Sequence, residues 1–452
     1  MRKLRFAAAL LPEGVAEDVT IGIGSDGLIG TIATGQGDDG AEREAGLALP
    51  GMPNLHSHAH QRAMAGLAER SGNSADSFWT WRQTMYRFLE RMGPEEFEAV
   101  AAQLYLEMLQ AGYTSLAEFH YLHRDPAGAP YGDPAEMSRR VFAAARETGI
   151  ALTHLPVLYA ASGFGGAPLG PGQKRFAMDA EGALALLAAL EPECGPLRRL
   201  GLAPHSLRAA PPEQLAAALH GLKPGQPVHI HIAEQVKEVE DCLAWSGRRP
   251  VEWLLDAHGI DADWCLVHAT HLSADELARL AASGATAGLC PTTEANLGDG
   301  FFAAADYLAQ GGTFGIGSDS HISVSPVEEL RWLEYGERLR RRGRALLAGG
   351  SDRSTGRALL EGALTGGARA LAQPVGRLAP GSRADLIVLD TDHPLLAGRR
   401  GEALIDSWIF AGNRSPVRHV MVGGDWVIRD GHHEAEERIG ARFRQAMRRL
   451  TE

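Results

Sequence analysis

Lysine is nearly missing from this 452-residue chain: only Lys3, Lys174, Lys223 and Lys237 occur among 44 basic residues, so 44 minus 4 leaves 40 arginines. Acidic residues outnumber basic ones by 56 to 44, giving a formal net charge of -12, and no stretch is basic enough to reverse that average. Such a field repels phosphate backbones and anionic headgroups, which argues against a nucleic-acid-binding or membrane-surface protein. No apolar run approaches the roughly 18 residues needed to cross a bilayer. The N-terminal stretch Met1 to Leu11 meets Pro12-Glu13 before a signal-type segment develops, so a cytoplasmic protein is the expectation. Cys194, Cys242, Cys265 and Cys290 lack CxxC spacing, and two of them lie in apolar strand-like runs, so reduced, buried thiols are expected rather than a disulfide frame. Internal repeats and low-complexity tracts are absent as well.

What is present is ordinary globular composition, 45% hydrophobic and 22% charged, in a chain long enough for a large core and a smaller satellite unit. Residues 1–48 read as short extended segments, a β-meander with Asp26-Gly27 as a two-residue hairpin signal. Between Leu47 and about Leu371, eight apolar runs alternate with helical periodicity: Ala48 to Leu55, Thr114 to Phe119, Ala151 to Tyr159, Leu200 to Pro204, Val228 to Ile232, Cys265 to His268, Ala285 to Cys290 and Thr313 to Ile316. Eight strands with crossover helices over about 320 residues predict an α/β fold of the (β/α)₈ barrel type. Strand character returns at Ala384 to Leu389 and Val417 to Val422, with Gly423-Gly424 turning into Trp426. The expected organisation is a catalytic barrel, 49–373, flanked by a discontinuous small β-sandwich domain from 1–48 and 374–452. Ile439, Phe443, Met447 and Leu450 fall at helical spacing and predict a terminal helix docked on another element, while the arginine run Arg338 to Arg344 reads as a solvated helix face.

Ionisable residues gather at the C-terminal ends of the proposed strands, where barrel enzymes build their sites. His56 and His58 stand two residues apart at the end of the first strand, so both rings share a face. Strand five carries His229, His231 and then Glu234; strand six ends on His268; strand eight ends Gly317-Ser318-Asp319. Histidine nitrogens with one carboxylate suit a borderline divalent metal with a coordination position left for water. Glu234 can reach a substrate nitrogen as a proton shuttle, and Asp319 can both bind the metal and take a proton from the attacking water. His268 is positioned to hydrogen-bond a developing oxyanion or to orient the water. His60, His120, His123, His271 and His321 read as neighbours off the metal, Glu118 as a buried partner of a cation, and Cys290 as a thiol facing no base.

Several segments together resemble the amidohydrolase superfamily and, within it, the deiminases that act on N-formimino-L-glutamate. They are Pro50 to Gly66, Phe119-His120-Tyr121, Ala203 to Arg208, His229 to Gln235, Val267 to His271, Cys290 to Gly300, Gly317 to His321 and Pro380 to Leu389. The resemblance implies that His56, His58, His231 and Asp319 hold one metal ion, usually zinc with iron as the other choice, and that Glu234, His268 and Asp319 manage protons. It assigns Gln61, Arg82, Tyr121, His205 and Arg208 to substrate binding, and it suggests a homodimer. Binuclear relatives often add a carboxylated lysine at the end of strand four; no lysine stands at a strand end here, which favours a mononuclear site.

The implied substrate is a small dianionic amidine, which calls for fixed guanidinium groups beside the metal centre. Arg82 lies in Trp79-Thr80-Trp81-Arg82, inside a long insertion after strand one that reads as a lid. The implied activity is hydrolytic deimination to N-formyl-L-glutamate and ammonia, in histidine degradation. The nearest rival is a deaminase of a nucleobase, pterin or other heterocycle on the same scaffold, and a second is a non-catalytic binding protein. A cytidine-deaminase type of zinc site is excluded because the PCxxC signature is absent.

Overall fold

Leu4 and Phe6, and then Val19, Ile21 and Ile23, are buried at period two, as in strands with one covered face. The computed structural model describes residues 2–35, 40–69, 78–350 and 353–452, with the side chains of 78–80 also outside that description. The chain opens with strands β1 (Arg2–Leu11), β2 (Gly14–Ile23), β3 (Ile29–Thr34) and β4 (Glu42–Pro50). There follow β5 (Met52–Ser57), β6 (Tyr113–His120), β7 (Ala151–Leu158), β8 (Arg198–Leu200) and β9 (Ala203–Pro204). Then come β10 (Val228–Ile232), β11 (Trp264–His268), β12 (Thr286–Leu289) and β13 (Thr313–Ile316), and β14 (Leu386–Leu389), β15 (Val417–Val422) and β16 (Asp425–Ile428) close the series.

The two ends of the chain share one mixed sheet in the order β16-β15-β14-β4-β1-β2-β3. Its faces serve two cores. Leu386, Val388 and Met421 pack with Leu4, Phe6 and Ile21, whereas Ile387, Leu389, Val420 and Val422 join the main core. The strands in between pair in parallel, β5-β6-β7-β8 with β9 on β7, and β10-β11-β12-β13. Every residue of β6, β7, β10, β11 and β12 is buried, as parallel strands covered on both faces require. Parallel bridges from Leu202 to Val228 and from Ser57 to Asp319 link the two parallel sheets.

The first expected run is two strands. β4 pairs with β1 and β14 and β5 pairs with β6; the break falls at Gly51, where a Cβ would come within 2.2–2.8 Å of Thr114. The fourth run is likewise divided into β8 and β9. The β2–β3 connection is Gly24 to Leu28 rather than a two-residue turn, because Gly24 N–H bonds Leu28 O and Leu28 also bridges Arg383. β1 to β3 form the expected meander, but β4 returns parallel to β1. Gly423-Gly424 does make a two-residue turn, with φ of 59° and 89°. The C-terminal helix Glu436–Thr451 buries Ile439 and Leu450, and its Arg442 bonds Glu98 and Arg449 bonds Glu96 on helix Pro94–Ala111. The arginine run is paired along its helix, Arg338 with Glu334 and Arg341 with Glu337. All four cysteines are free, but Cys194 is exposed, contrary to the expectation of burial.

Candidate metal centre and substrate cleft

Five non-glycine residues at the ends of the parallel strands hold positive φ: Ala233 (51°), His268 (67°), Ala269 (48°), Asp319 (47°) and His321 (61°). Left-handed backbone at side-chain-bearing residues costs energy and persists only where the surroundings impose it, characteristically at functional sites. Here the surroundings are backbone bonds from Asp319 N–H to His56 O and from His58 N–H to Asp319 O. Gly317 lets β13 approach β5, since a Cβ there would come within 2.7 Å of the His56 Cβ.

Three imidazoles converge. The Nε2 atoms of His56 and His58 are 3.1 Å apart, those of His58 and His231 3.3 Å, and those of His231 and His56 3.0 Å. Asp319 Oδ1 lies 3.5 Å from His56 Nε2 and 3.4 Å from His58 Nε2. His58 Nδ1 donates to Phe119 O at 2.8 Å and His231 Nδ1 to His205 O at 2.9 Å, which fixes both tautomers and leaves the Nε2 lone pairs pointing inward. Burial lowers all three histidines, His56 to about 3 with His58 as the next cause, so the rings are neutral. Neutral lone pairs facing one another repel unless a cation lies between them. A tetrahedral ion about 2.1 Å from each ligand separates its ligands by about 3.4 Å, close to the spacing seen. These residues therefore fit a divalent metal of the zinc type.

Burial alone would raise Asp319, but the His56 hydrogen bond and the nearby His58 and His268 outweigh it and hold the carboxyl below the usual carboxylate range. Burial raises Glu234 to about 7 despite the facing His268. Burial would lower His268, yet Glu234, Glu294 and Asp319 together push it up to about 10. His268 Nε2 is 3.7 Å from Asp319 Oδ2 and 3.9 Å from Glu234 Oε1, so the three expected proton-handling groups face one space.

A cleft of about 570 Å³ opens on this centre and is lined by all five expected substrate residues, Gln61, Arg82, Tyr121, His205 and Arg208. Gln61 Nε2 donates to the Tyr121 hydroxyl at 2.8 Å, and the Arg82 guanidinium lies 5.6 Å from the Tyr86 ring centre. Arg208 is buried, not a surface residue. The expected lid lies in part outside the described residues, as do the side chains of Trp79 and Thr80; Trp81 and Arg82 stand on helix Phe78–Leu89.

The sequence reading overlooked Tyr86, Tyr159, Phe176 and Glu294. Tyr86 follows Arg82 at i+4 on a helix, Tyr159 ends strand three and receives a 2.8 Å bond from Gln173, and both signals were readable. Glu294, four residues after Cys290, lies 3.2 Å from His268 Nδ1. Two expectations are corrected. Glu118 meets no cation among the described residues; it accepts from Ala59 N–H and Ser57 Oγ, both at 2.7 Å, and from Tyr105 at 3.1 Å, because the first-strand turn supplies donors. Cys290 is not remote from a base, since its Sγ groups with His268 and Glu294 within 4.8 Å, but burial and surrounding carboxylates raise its thiol well above the usual range and leave it a poor nucleophile. Of the five neighbouring histidines, His321 accepts from His58 N–H at 3.2 Å, and none joins the His56–His58–His231 group.

Glu118 also gives a pH prediction. Burial raises it to about 7, against the hydrogen bonds that lower it, so the folded protein prefers its protonated form. That contribution is complete below the unfolded value near 4.5 and is lost as pH rises through about 7. Between pH 5 and 8, metal-stripped protein should lose on the order of 1–3 kcal/mol relative to Glu118→Gln. Parallel melting curves for the two proteins would contradict this.

Residues 47–427 match the amidohydrolase family, and residues 6–46 match the N-terminal domain of formimidoylglutamate deiminase HutF. The chain belongs to the amidohydrolase family. It is 57% identical over 448 residues, 98% of each chain, to formimidoylglutamate deiminase of Pseudomonas aeruginosa. That similarity places it in the formimidoylglutamate deiminase branch of the family. A solved amidohydrolase of Brucella melitensis is 49% identical and superposes with a TM-score of 0.94 over 100% of both chains. An adenosine deaminase of Xanthomonas campestris with bound zinc is 20% identical, with a TM-score of 0.80 over 99% of this chain and 98% of that one, a likeness of fold.

Proposed function

We propose that the chain hydrolyses N-formimino-L-glutamate to N-formyl-L-glutamate and ammonia, a step of histidine degradation. The observation that carries this reading is the pairing of a histidine and carboxylate metal pocket with two guanidinium groups, Arg82 and Arg208, in one cleft. His56, His58, His231 and Asp319 would hold one divalent ion, zinc by preference; when bound it supplies Lewis acidity, making a water nucleophilic near neutral pH. Asp319, ionised, accepts the water's first proton as the C–O bond forms at the formimino carbon. Glu234, poised near neutrality, carries protons to the amidine nitrogen, and the C–N bond breaks with that nitrogen leaving as ammonia. His268 hydrogen-bonds the oxygen on which charge develops. Arg82 and Arg208 bind the two carboxylates, and Gln61, Tyr121 and His205 orient the chain between them.

The reading extends to architecture and setting. The bridges from Leu202, just before β9, to β10 and from β5 to Asp319, just after β13, support closure of the parallel strands into an eight-stranded barrel over 49–373, with the mixed sheet of 1–48 and 374–452 as a separate small domain. Among the described residues no helix is long and apolar enough to cross a membrane; a cytoplasmic setting remains the reading of the sequence, and a homodimer is what the resemblance implies. The test is ammonia release by metal-loaded protein: turnover of N-formimino-L-glutamate with none of adenosine, guanine or pterins is expected, and the reverse preference would establish the heterocycle deaminase instead.

A further inference from the structure

We propose that Glu294 is a positioning residue for this reaction, acting through His268, and the proposal rests on the reading of His268 as a group that touches the reacting atoms. A ring at the end of a strand can rotate about its side-chain bonds and can give up a proton from either nitrogen. Both freedoms are removed here. Glu294 Oε1 accepts from Cys290 N–H at 2.9 Å, so this oxygen is the acceptor, and the His268 Nδ1 that lies 3.2 Å from it is the donor. Nε2 is thereby left facing Glu234 Oε1 and Asp319 Oδ2 across the cleft.

Glu294 is itself held firmly. It stands on the short helix Pro291–Leu297, directly after β12, and is 5% exposed. Its backbone N–H bonds Cys290 O, and its carbonyl accepts from Asp299 N–H. The preceding residues tie the helix to two other elements. Thr292 donates through N–H and Oγ1 to Glu329, and Thr293 Oγ1 bonds Ser320 Oγ at 2.9 Å in the turn that carries Asp319. One rigid unit therefore sets both the Asp319 turn and the acceptor for His268. Supports of this kind hold a reacting group to within fractions of an ångström.

Both donors converge on one oxygen, so a glutamine carboxamide can still accept from them, whereas leucine, of similar size, cannot. Glu294→Leu should lower kcat about 10²-fold with KM within about twofold, and Glu294→Gln should restore most of that loss. In a His268→Gln background, Glu294→Leu should cost less than about threefold more, because its effect passes through the ring. A full additional loss in that background, or a glutamine variant as poor as the leucine one, would overturn the proposal. Should Glu294→Leu not fold, the wild-type holoenzyme decides. ¹⁵N NMR of labelled histidine, with His268 assigned by its loss in His268→Gln, should find Nδ1 protonated, and a bare Nδ1 would overturn the proposal. That measurement needs no substrate, so failure of wild-type protein to turn over N-formimino-L-glutamate would count against the function and leave the Glu294 result standing on its own.

Discussion

Asp319→Asn lowers kcat/KM for N-formimino-L-glutamate about 10⁴-fold while leaving the fold intact. Asparagine keeps the size of the side chain and, of the common residues, tolerates the left-handed φ of 47° that this position requires. The backbone bonds that fix the turn, Asp319 N–H to His56 O and His58 N–H to Asp319 O, do not involve the side chain. What disappears is the negative charge, which would both hold the metal beside His56 and His58 and receive the proton of the attacking water. Loss of a general base costs about 10²–10⁴-fold, and weaker hold on the metal adds to it. Steady-state rates of ammonia release, measured beside metal content and melting temperature, separate the two contributions. Activity within tenfold of wild type in a metal-loaded, folded variant would contradict the assignment.

Arg208→Ala lowers kcat/KM about 10²–10³-fold, chiefly through KM. The guanidinium is buried in the cleft wall beside His205 and Glu234. A carboxylate entering this enclosed space without its cation loses a charge-assisted interaction and remains poorly solvated, a cost of about 2–5 kcal/mol. Arg82 is more exposed, over the Tyr86 ring, and Arg82→Ala should cost less, about tenfold to 10²-fold. Arg208→Lys should recover only part of the loss, because an ammonium cannot reproduce a planar fork. If Arg208→Ala leaves KM unchanged, the cleft does not recognise a carboxylate there, and a heterocycle deaminase becomes the better reading.

The alternation of short apolar runs with helical periodicity made much of this architecture legible in the chain itself. Val228 to Ile232 is the strand β10 as expected, and the polar residues that end β10, β11 and β13 do meet at one mouth. Periodicity could not separate His229 from His231, since both point to the same side of β10. One turn of the pleat deeper, His229 donates to Ala370 O and belongs to the packing of helix Thr355–Ala370. The division at Gly51 was hidden because the apolar run Leu47 to Leu55 continues across it, and only the partners of each half distinguish the two strands. Glu294 was hidden for a different reason. Its helix is seven residues long, too short to show a period, and its function depends on His268, which is 26 positions away. Tyr86 and Tyr159 were overlooked although spacing and strand-end position pointed to them.

The central claim is that one cleft joins a histidine and aspartate metal centre to a recognition site for a dianionic amidine. Following both products from N-formimino-L-glutamate with metal-loaded protein tests this most directly. The account predicts one equivalent each of ammonia and N-formyl-L-glutamate, and no turnover after chelation. Formamide and glutamate as products, or turnover that survives complete metal removal, would contradict it.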